Sequence, residues 1–248
     1  MFDLVDIHYH GLPYIDDGAR DEATMKSMLD MAYADGIKTI CFTPHFKTYE
    51  FKSSDDVKEY LTRAEYSFTL AKEYASEKYP DMELYLGNEI MYHNEIISSL
   101  LDFDCKSLNG SNYILVEFQP TVTCYDLENA VLKILRKGFI PIIAHIERYS
   151  ALIKKPSLVS DLRNAGALMQ VNARGITSLR IGKIARFLRL LLKNRQVDIV
   201  ATDSHDNSVF SPNLSKSMTY VIKHYGEKYA KRIFFENPMM ALKNEKNY

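Results

Sequence analysis

Asp6-Ile7-His8-Tyr9-His10 closes a short apolar run, and residues two apart in an extended chain point to the same side, so both imidazoles can reach one ion. His-x-His is a weak motif by itself, and two hydrogen-bonded structural histidines explain that spacing better than a metal pair does. Five further apolar runs change the balance. They finish in Thr43-Pro44-His45, Gly87-Asn88-Glu89, Val116-Glu117-Phe118, Ala144-His145 and Ala201-Thr202-Asp203-Ser204-His205. A sixth, ending at Asn172, carries no such group. Asp17, in the loop Tyr14-Ile15-Asp16-Asp17-Gly18, can reach the same place, although alone it reads as a turn aspartate. His93 and His224 are left over; His224, near Tyr220 and Tyr225, reads as a surface histidine of a helix, and His93 is a weak candidate for lining the pocket.

Charge balance indicates what such a cluster requires. Asp17, Glu89, Glu117 and Asp203 in one pocket repel one another, which raises their pKa values unless cations intervene. Three divalent ions would outweigh these carboxylates and one bridging hydroxide, leaving a positive site suited to a phosphate dianion. Imidazole and carboxylate donors without thiolate favour manganese, iron or zinc over calcium or magnesium.

The elements that must position these groups are βα units. In Asp35-Gly36-Ile37, Lys137-Gly138-Phe139 and Ala165-Gly166-Ala167 an amphipathic helix ends at glycine and a β-rich run follows, because glycine accepts the left-handed turn that reverses the chain. Helical spacing recurs at Met25, Met28, Leu29 and Ala32, at Leu127, Ala130, Val131, Ile134 and Leu135, and at Ile184, Phe187, Leu188, Leu191 and Leu192. Seven strands are expected near residues 4–9, 38–43, 82–88, 113–118, 140–145, 167–172 and 197–202. Their apolar character suits a buried parallel sheet, either doubly wound or closed into a barrel of about seven strands. A long helix is expected between Phe51 and Pro80, flanking the site. No linker or low-complexity tract divides the 248 residues, so one domain over residues 1–248 is expected.

Composition narrows the function classes. Lys plus Arg (31) nearly balances Asp plus Glu (32), so there is no global field for nucleic acid or anionic membrane, and phosphate recognition must be local. Cys41, Cys105 and Cys124 are odd in number and far apart, which suits reduced thiols in a cytoplasm. No run approaches membrane-spanning length, so no integral membrane segment is expected. A cysteine-nucleophile phosphatase needs arginine six positions after its cysteine, but Lys47, Ser111 and Ala130 stand there.

With those residues in place, the chain resembles the polymerase and histidinol phosphatase (PHP) family. The matching phrases are His8-Tyr9-His10 with Asp16-Asp17-Gly18, Thr43-Pro44-His45, Gly87-Asn88-Glu89-Ile90, Val116-Glu117-Phe118, Ala144-His145-Ile146-Glu147-Arg148-Tyr149 and Thr202-Asp203-Ser204-His205. They are most similar to the capsule and exopolysaccharide branch of metal-dependent protein-tyrosine phosphatases. The resemblance implies an α/β fold, a seven-stranded distorted TIM-like (β/α)7 barrel, with up to three divalent transition-metal ions, manganese favoured and iron or zinc the alternatives. It implies His8, His10, Asp17, His45, Glu89, Glu117, His145, Asp203 and His205 as ligands and Arg148 as the group that holds substrate phosphate.

The implied reaction is attack of a metal-bridging hydroxide on phosphorus. The implied substrate is the phosphorylated tyrosine-rich tail of a tyrosine kinase that controls polysaccharide export. A histidinol-phosphate phosphatase and a non-catalytic phosphotyrosine binder are the alternatives; an amidohydrolase also begins with His-x-His but commonly has a carbamylated lysine where Glu117 stands. Two positions depart from the branch. Ile146 replaces a common proline, and Asp206 to Ser217 lacks the usual arginine, offering only Lys216. Arg174 is a candidate second phosphate clamp, balanced against an ordinary surface role, and Asp206 a candidate general acid.

Overall fold

A computed structural model describes residues 2–93, 106–178 and 181–245, so Cys105 lies outside the described residues. The strands are β1 (Leu4–Tyr9), β2 (Ile37–Phe42), β3 (His45–Phe46), β4 (Glu83–Leu86), β5 (Glu89–Met91), β6 (Tyr113–Glu117), β7 (Ile140–Ile143), β8 (Leu168–Asn172) and β9 (Ile199–Ala201). Every pairing between them is parallel. The order is β1-β2-β4 in one sheet and β3-β5-β6-β7-β8-β9 in the other.

The expected runs near 38–43 and 82–88 thus each continue, after two residues, into a second short segment. Pro44 has no N–H to offer a ladder at the first break. At the second, a Cβ on Gly87 would come within 2.9 Å of the Leu108 side chain and 3.2 Å of its Cα, so glycine lets the chain pass without displacing Leu108. The breaks lie side by side, joined by Gly87 N–H donating to the Phe42 carbonyl at 2.8 Å and Glu89 N–H to that of Pro44 at 3.2 Å. The sheet curls until the chain beyond β9 lies beside β1. There His10 N–H donates to the Ser204 carbonyl at 2.9 Å and Asp203 N–H to that of His8 at 3.0 Å.

The helices are α1 (Glu22–Ala34), α2 (Ser54–Lys78), α3 (Cys124–Arg136), α4 (Ser150–Lys154), α5 (Ser157–Ala165), α6 (Ala173–Thr177), α7 (Lys183–Lys193), α8 (Ser215–Tyr225), α9 (Glu227–Lys231) and α10 (Asn237–Lys243). Helix α2 is the long helix expected after Phe51; a reciprocal capping box between Ser53 and Asp56 sets its start. Its Tyr60 reaches inward, donating its hydroxyl to the His45 carbonyl at 2.7 Å. Gly36 and Gly166 turn the chain out of α1 and α5 at φ of +91° and +117°, values that a side chain would strain.

All six residues of β1 and all five of β6 are buried, as a sheet covered on both faces requires. The stripes of α1 and α3 pack inward, each buried aliphatic side chain contributing about 1.5–3 kcal/mol. Ile184 corrects the expected α7 stripe: it is half exposed, in the first turn, whereas Phe187, Leu188, Leu191 and Leu192 are buried. Helix α10 covers the end of the sheet opposite the strand carboxyl termini. Asn237 donates to the Asp198 carbonyl at 2.7 Å, and Asn109 to that of Leu242 at 3.1 Å.

Candidate metal centre

The alternation of β1 sends both His8 and His10 into the interior, fully buried, with their Nε2 atoms 3.1 Å apart. Glu89, first residue after the Gly87-Asn88 break, reaches both: Oε1 is 3.1 Å from His8 Nε2 and Oε2 is 3.3 Å from His10 Nε2. His145 and Asp203 follow β7 and β9 with φ of +34° and +56°, an unusual conformation for residues with side chains. That turn ends each strand and aims the side chain inward. His145 Nε2 lies 2.9 Å from Glu89 Oε1, and Asp203 Oδ1 lies 3.3 Å from His8 Nε2.

Nearer solvent, His45 Nδ1 stands 3.0 Å from Glu89 Oε2 and 3.1 Å from Glu117 Oε1. Asp17 Oδ1 is 3.4 Å from His45 Nε2 and 3.5 Å from His205 Nε2. Its loop can lie this close because residue 18 is glycine; a Cβ there would fall 1.9 Å from the His10 carbonyl oxygen. The nine side chains singled out in the sequence are thereby brought together. They form four overlapping groups, each with ligand atoms within 4.8 Å of one another: His8, His10 and Glu89; His8, His145 and Asp203; His45, Glu89 and Glu117; and His10, Asp17, His45 and His205.

A second layer orients them. Asp16 Oδ2 lies 2.7 Å from His10 Nδ1 and accepts from the His45 amide at 3.0 Å. Gln170 Oε1 accepts from the His145 amide at 2.7 Å and lies 3.3 Å from His8 Nδ1, while Asn172 donates to Asp203 Oδ2 at 2.7 Å. The Tyr149 hydroxyl is 3.4 Å from His145 Nδ1. Such partners settle which ring nitrogen faces the centre. Sequence reasoning passed over Gln170 and Asn172 because β8 ends without a histidine or carboxylate. Two buried amides at i and i+2 of an apolar strand were the signal.

The electrostatics describe a site prepared for cations. Burial lowers the His10 pKa, but the charge of Asp16, its hydrogen bond and the nearby Glu89 carboxylate outweigh it and push the imidazole up to about 10. Burial likewise opposes protonation of His45, yet Asp17, Glu117 and Glu89 drive it up to about 12. Burial alone would raise Glu89; the surrounding histidines hold it well below the usual carboxylate range. Asp6, beneath the site, is pushed up to about 6 by burial despite accepting hydrogen bonds from Thr202. His45 Nδ1, Glu89 Oε2 and Glu117 Oε1 are buried without a hydrogen-bond partner, close together but misaligned for donation. Orphaned donor atoms of this kind suit coordination, and a mixed imidazole and carboxylate set fits divalent transition ions.

A cleft of about 670 Å³ opens over these groups, lined among others by Asp17, His45, Lys47, Tyr49, Glu117, Arg148, Asp203, Asp206 and Phe210. Arg148 pairs with Asp203 and not with its neighbour Glu147, which is buried and accepts from the Asn172 amide at 2.9 Å. Asp206 lines the cleft, but its Oδ1 accepts from the Ser208 amide at 2.7 Å and the Phe210 amide at 2.9 Å. Burial raises its pKa less than these bonds lower it, so it stays ionised and shapes the loop, which does not suit the expected general acid.

Arg174 is outside the cleft, its guanidinium 4.8 Å from the centre of the Phe210 ring. Lys47, unassigned from sequence, is a cation on the cleft wall. His93 bonds to Thr48 beside Tyr49 and does not line the cleft; His224 lies tilted against Tyr220, ring centres 4.3 Å apart, on the helix surface.

Fold and site together define an α/β protein whose curled parallel sheet presents a histidine and carboxylate centre at its strand ends. The family described as Capsular polysaccharide synthesis, CpsB/CapC, matches residues 4–243, and the chain belongs to it. Its relatives include tyrosine-protein phosphatase CpsB of Streptococcus pneumoniae, 28% identical over 247 residues that cover 98% of this chain and 99% of that one. Tyrosine-protein phosphatase YwqE of Bacillus subtilis (strain 168) is 29% identical over 242 residues, covering 98% and 92%.

A crystal structure from work on YwqE from Bacillus subtilis and CpsB from Streptococcus pneumoniae, described as unique metal-dependent tyrosine phosphatases, superposes with a TM-score of 0.85 at 27% identity, covering 99% of this chain and 96% of that one. Histidinol phosphate phosphatase from Lactococcus lactis shares the fold at a TM-score of 0.53 and 15% identity, covering 89% and 93%. The branch read from the motifs is therefore the family to which the chain belongs, and its relatives carry the phosphatase activity expected from sequence. Among the described residues no helix is long and apolar enough to cross a membrane.

Proposed function

We propose that the protein is a metal-dependent protein-tyrosine phosphatase acting in the cytoplasm on the phosphorylated tyrosine-rich tail of a kinase that governs capsular or exopolysaccharide synthesis. The convergence of nine histidine and carboxylate side chains beneath an open cleft that also holds Arg148 carries this reading. We read β2 with β3, and β4 with β5, as two bent strands, which makes a seven-stranded distorted (β/α)7 barrel of the PHP type as one domain.

In this reading His8, His10, Asp17, His45, Glu89, Glu117, His145, Asp203 and His205 hold up to three divalent ions, manganese first and iron or zinc as alternatives. Such ions supply positive charge to phosphoryl oxygens and lower the pKa of coordinated water from about 15.7 toward about 7. Arg148 exchanges Asp203 for the substrate phosphate, where its planar donors match two oxygens at once. Tyr49 and Phe210 give the aryl ring apolar surface at the rim. A phenol leaves with a pKa of about 10, so an ionised Asp206 is no obstacle.

The test is a hydrolysis panel with manganese: a phosphotyrosine peptide, histidinol phosphate and nucleotides, repeated after chelation and with Arg148→Ala. The phosphotyrosine peptide should be turned over fastest, chelation should abolish turnover, and Arg148→Ala should cost about 10²–10³-fold in kcat, as removal of a donor to developing negative charge does. Faster turnover of histidinol phosphate would overturn the substrate. Metal-loaded protein that binds phosphotyrosine and hydrolyses none of the panel would make it a binder instead.

A further inference from the structure

Phe210 is a partition. Its ring lines the metal-site cleft on one side, and on the other a second hollow of about 280 Å³ bordered by Arg174, Ser211, Asn213 and Lys216. No carboxylate borders this hollow among the described residues. The partition is held in place: the Phe210 amide donates to Asp206 Oδ1 at 2.9 Å, and its carbonyl accepts from the His205 amide at 3.0 Å. Arg174 lies across the far face of the ring at 4.8 Å and spends one donor on the Val209 carbonyl, at 3.4 Å. A guanidinium has five N–H donors in one plane, so a two-pronged edge stays free for an anion. Lys216 adds a second positive charge with no anionic side chain on the lining to neutralise it.

We propose that this hollow is an anion subsite, which takes a phosphate or carboxylate carried by the same peptide as the scissile phosphotyrosine. The proposal rests on the tyrosine-phosphatase reading and adds to it a preference for substrates with a second negative group. The Phe210 ring centre is 6.3 Å from that of His205 and 4.8 Å from the Arg174 guanidinium, so these two groups lie no farther apart than the two distances together, a separation of a few residues. An extended peptide advances about 3.3–3.6 Å per residue, so the second anion belongs about two to four residues from the phosphotyrosine. The side chain of Phe210 keeps the two anions apart, and with Arg174 and Arg148 on opposite sides each has its own cation.

The experiment uses the manganese-loaded full chain and three matched phosphotyrosine peptides, bearing a second phosphotyrosine, a glutamate or an alanine at these offsets on either side. Either anion should raise kcat/KM about tenfold over alanine, mainly through KM, as charge-assisted hydrogen bonds do. The larger gain identifies the preferred ligand. Lys216→Ala and Arg174→Ala should each shrink that advantage, and Arg174→Lys should keep part of it. Lys216→Ala is the sharper arm, because among the described residues it is Arg174 and not Lys216 that lies over the Phe210 ring, so its loss leaves the partition intact. Equal kcat/KM for the three peptides, or an advantage that survives Arg174→Ala with Lys216→Ala, overturns the subsite while leaving the phosphatase reading standing. Failure to hydrolyse any of the peptides overturns both.

Discussion

Strand β9 has an aspartate beside each end, and the two meet opposite fates. Asp198, just before it, is completed by the protein: Arg163 of α5 donates to it through Nε at 2.9 Å and Nη2 at 2.8 Å, and the Met169 amide adds a third bond at 3.0 Å. Asp203, two residues after it, also accepts from Arg148 and Asn172, but it joins a cluster in which Glu89, Glu117 and His45 each keep a buried atom without a hydrogen-bond partner. One end of the sheet is finished electrostatically when the chain folds; the other is left open to a ligand. Structural completion and capacity for chemistry are thus separated by the four residues between Asp198 and Asp203. An uncompensated polar cluster is tolerable only where something other than the protein completes it.

Replacing one carboxylate at each end breaks this contrast most directly. Glu89→Gln should take turnover below detection and strip the protein of metal, measured by elemental analysis after gel filtration, with a smaller loss of unfolding free energy than Asp198→Ala when both are compared with metal-free protein. Asp198→Ala should do the reverse, costing about 3 kcal/mol in denaturant unfolding because it strands a partly buried arginine, with metal content retained. Equal losses of stability from both replacements would erase the distinction. Asp16→Asn probes the partners that orient the histidines. It keeps the shape but weakens the hold on His10, and a fall of about 10- to 100-fold in metal affinity, followed by titration with a competing chelator, is expected.

The smallest effect sharpens the comparison through pH. In the metal-free chain the His10 pKa is raised from 6.5 to about 10, against burial, by Asp16 and Glu89. A folded pKa above the unfolded one means that this contribution is fully present below about pH 6.5 and is lost as pH rises toward 10. The melting temperature of metal-free protein should therefore fall by a few degrees across that window. Metal-loaded protein should show a flatter profile, since the ion takes the place of the proton, and metal affinity should rise with pH. Parallel pH profiles of the two forms would count against coordination through His10.

Much of this site was legible along the chain because a parallel strand leaves little freedom: apolar runs must be buried, alternate residues share a side, and carboxyl ends gather at one face. Ligand types at those ends, from His8 to His205, therefore marked the centre in advance. Parity also placed His8 and His10 together. The bends between β2 and β3 and between β4 and β5 were not legible, since Pro44 and Gly87 signal interruption without saying that the two interruptions meet.

The destinations of long side chains were equally hidden. Arg174, in the first turn of α6, and Lys47, just after β3, are both cations beyond a strand end, yet folding puts Lys47 on the cleft wall and Arg174 behind Phe210. Asp206 looked like a free carboxylate and is instead consumed by the amides of its own loop. Local sequence determines backbone periodicity and which groups reach a strand end, because those depend on neighbours a few residues away. Which partner a flexible or buried polar group finds depends on residues brought near from elsewhere, as Gln170 is brought to His8 across 162 positions, and only the tertiary structure decides that.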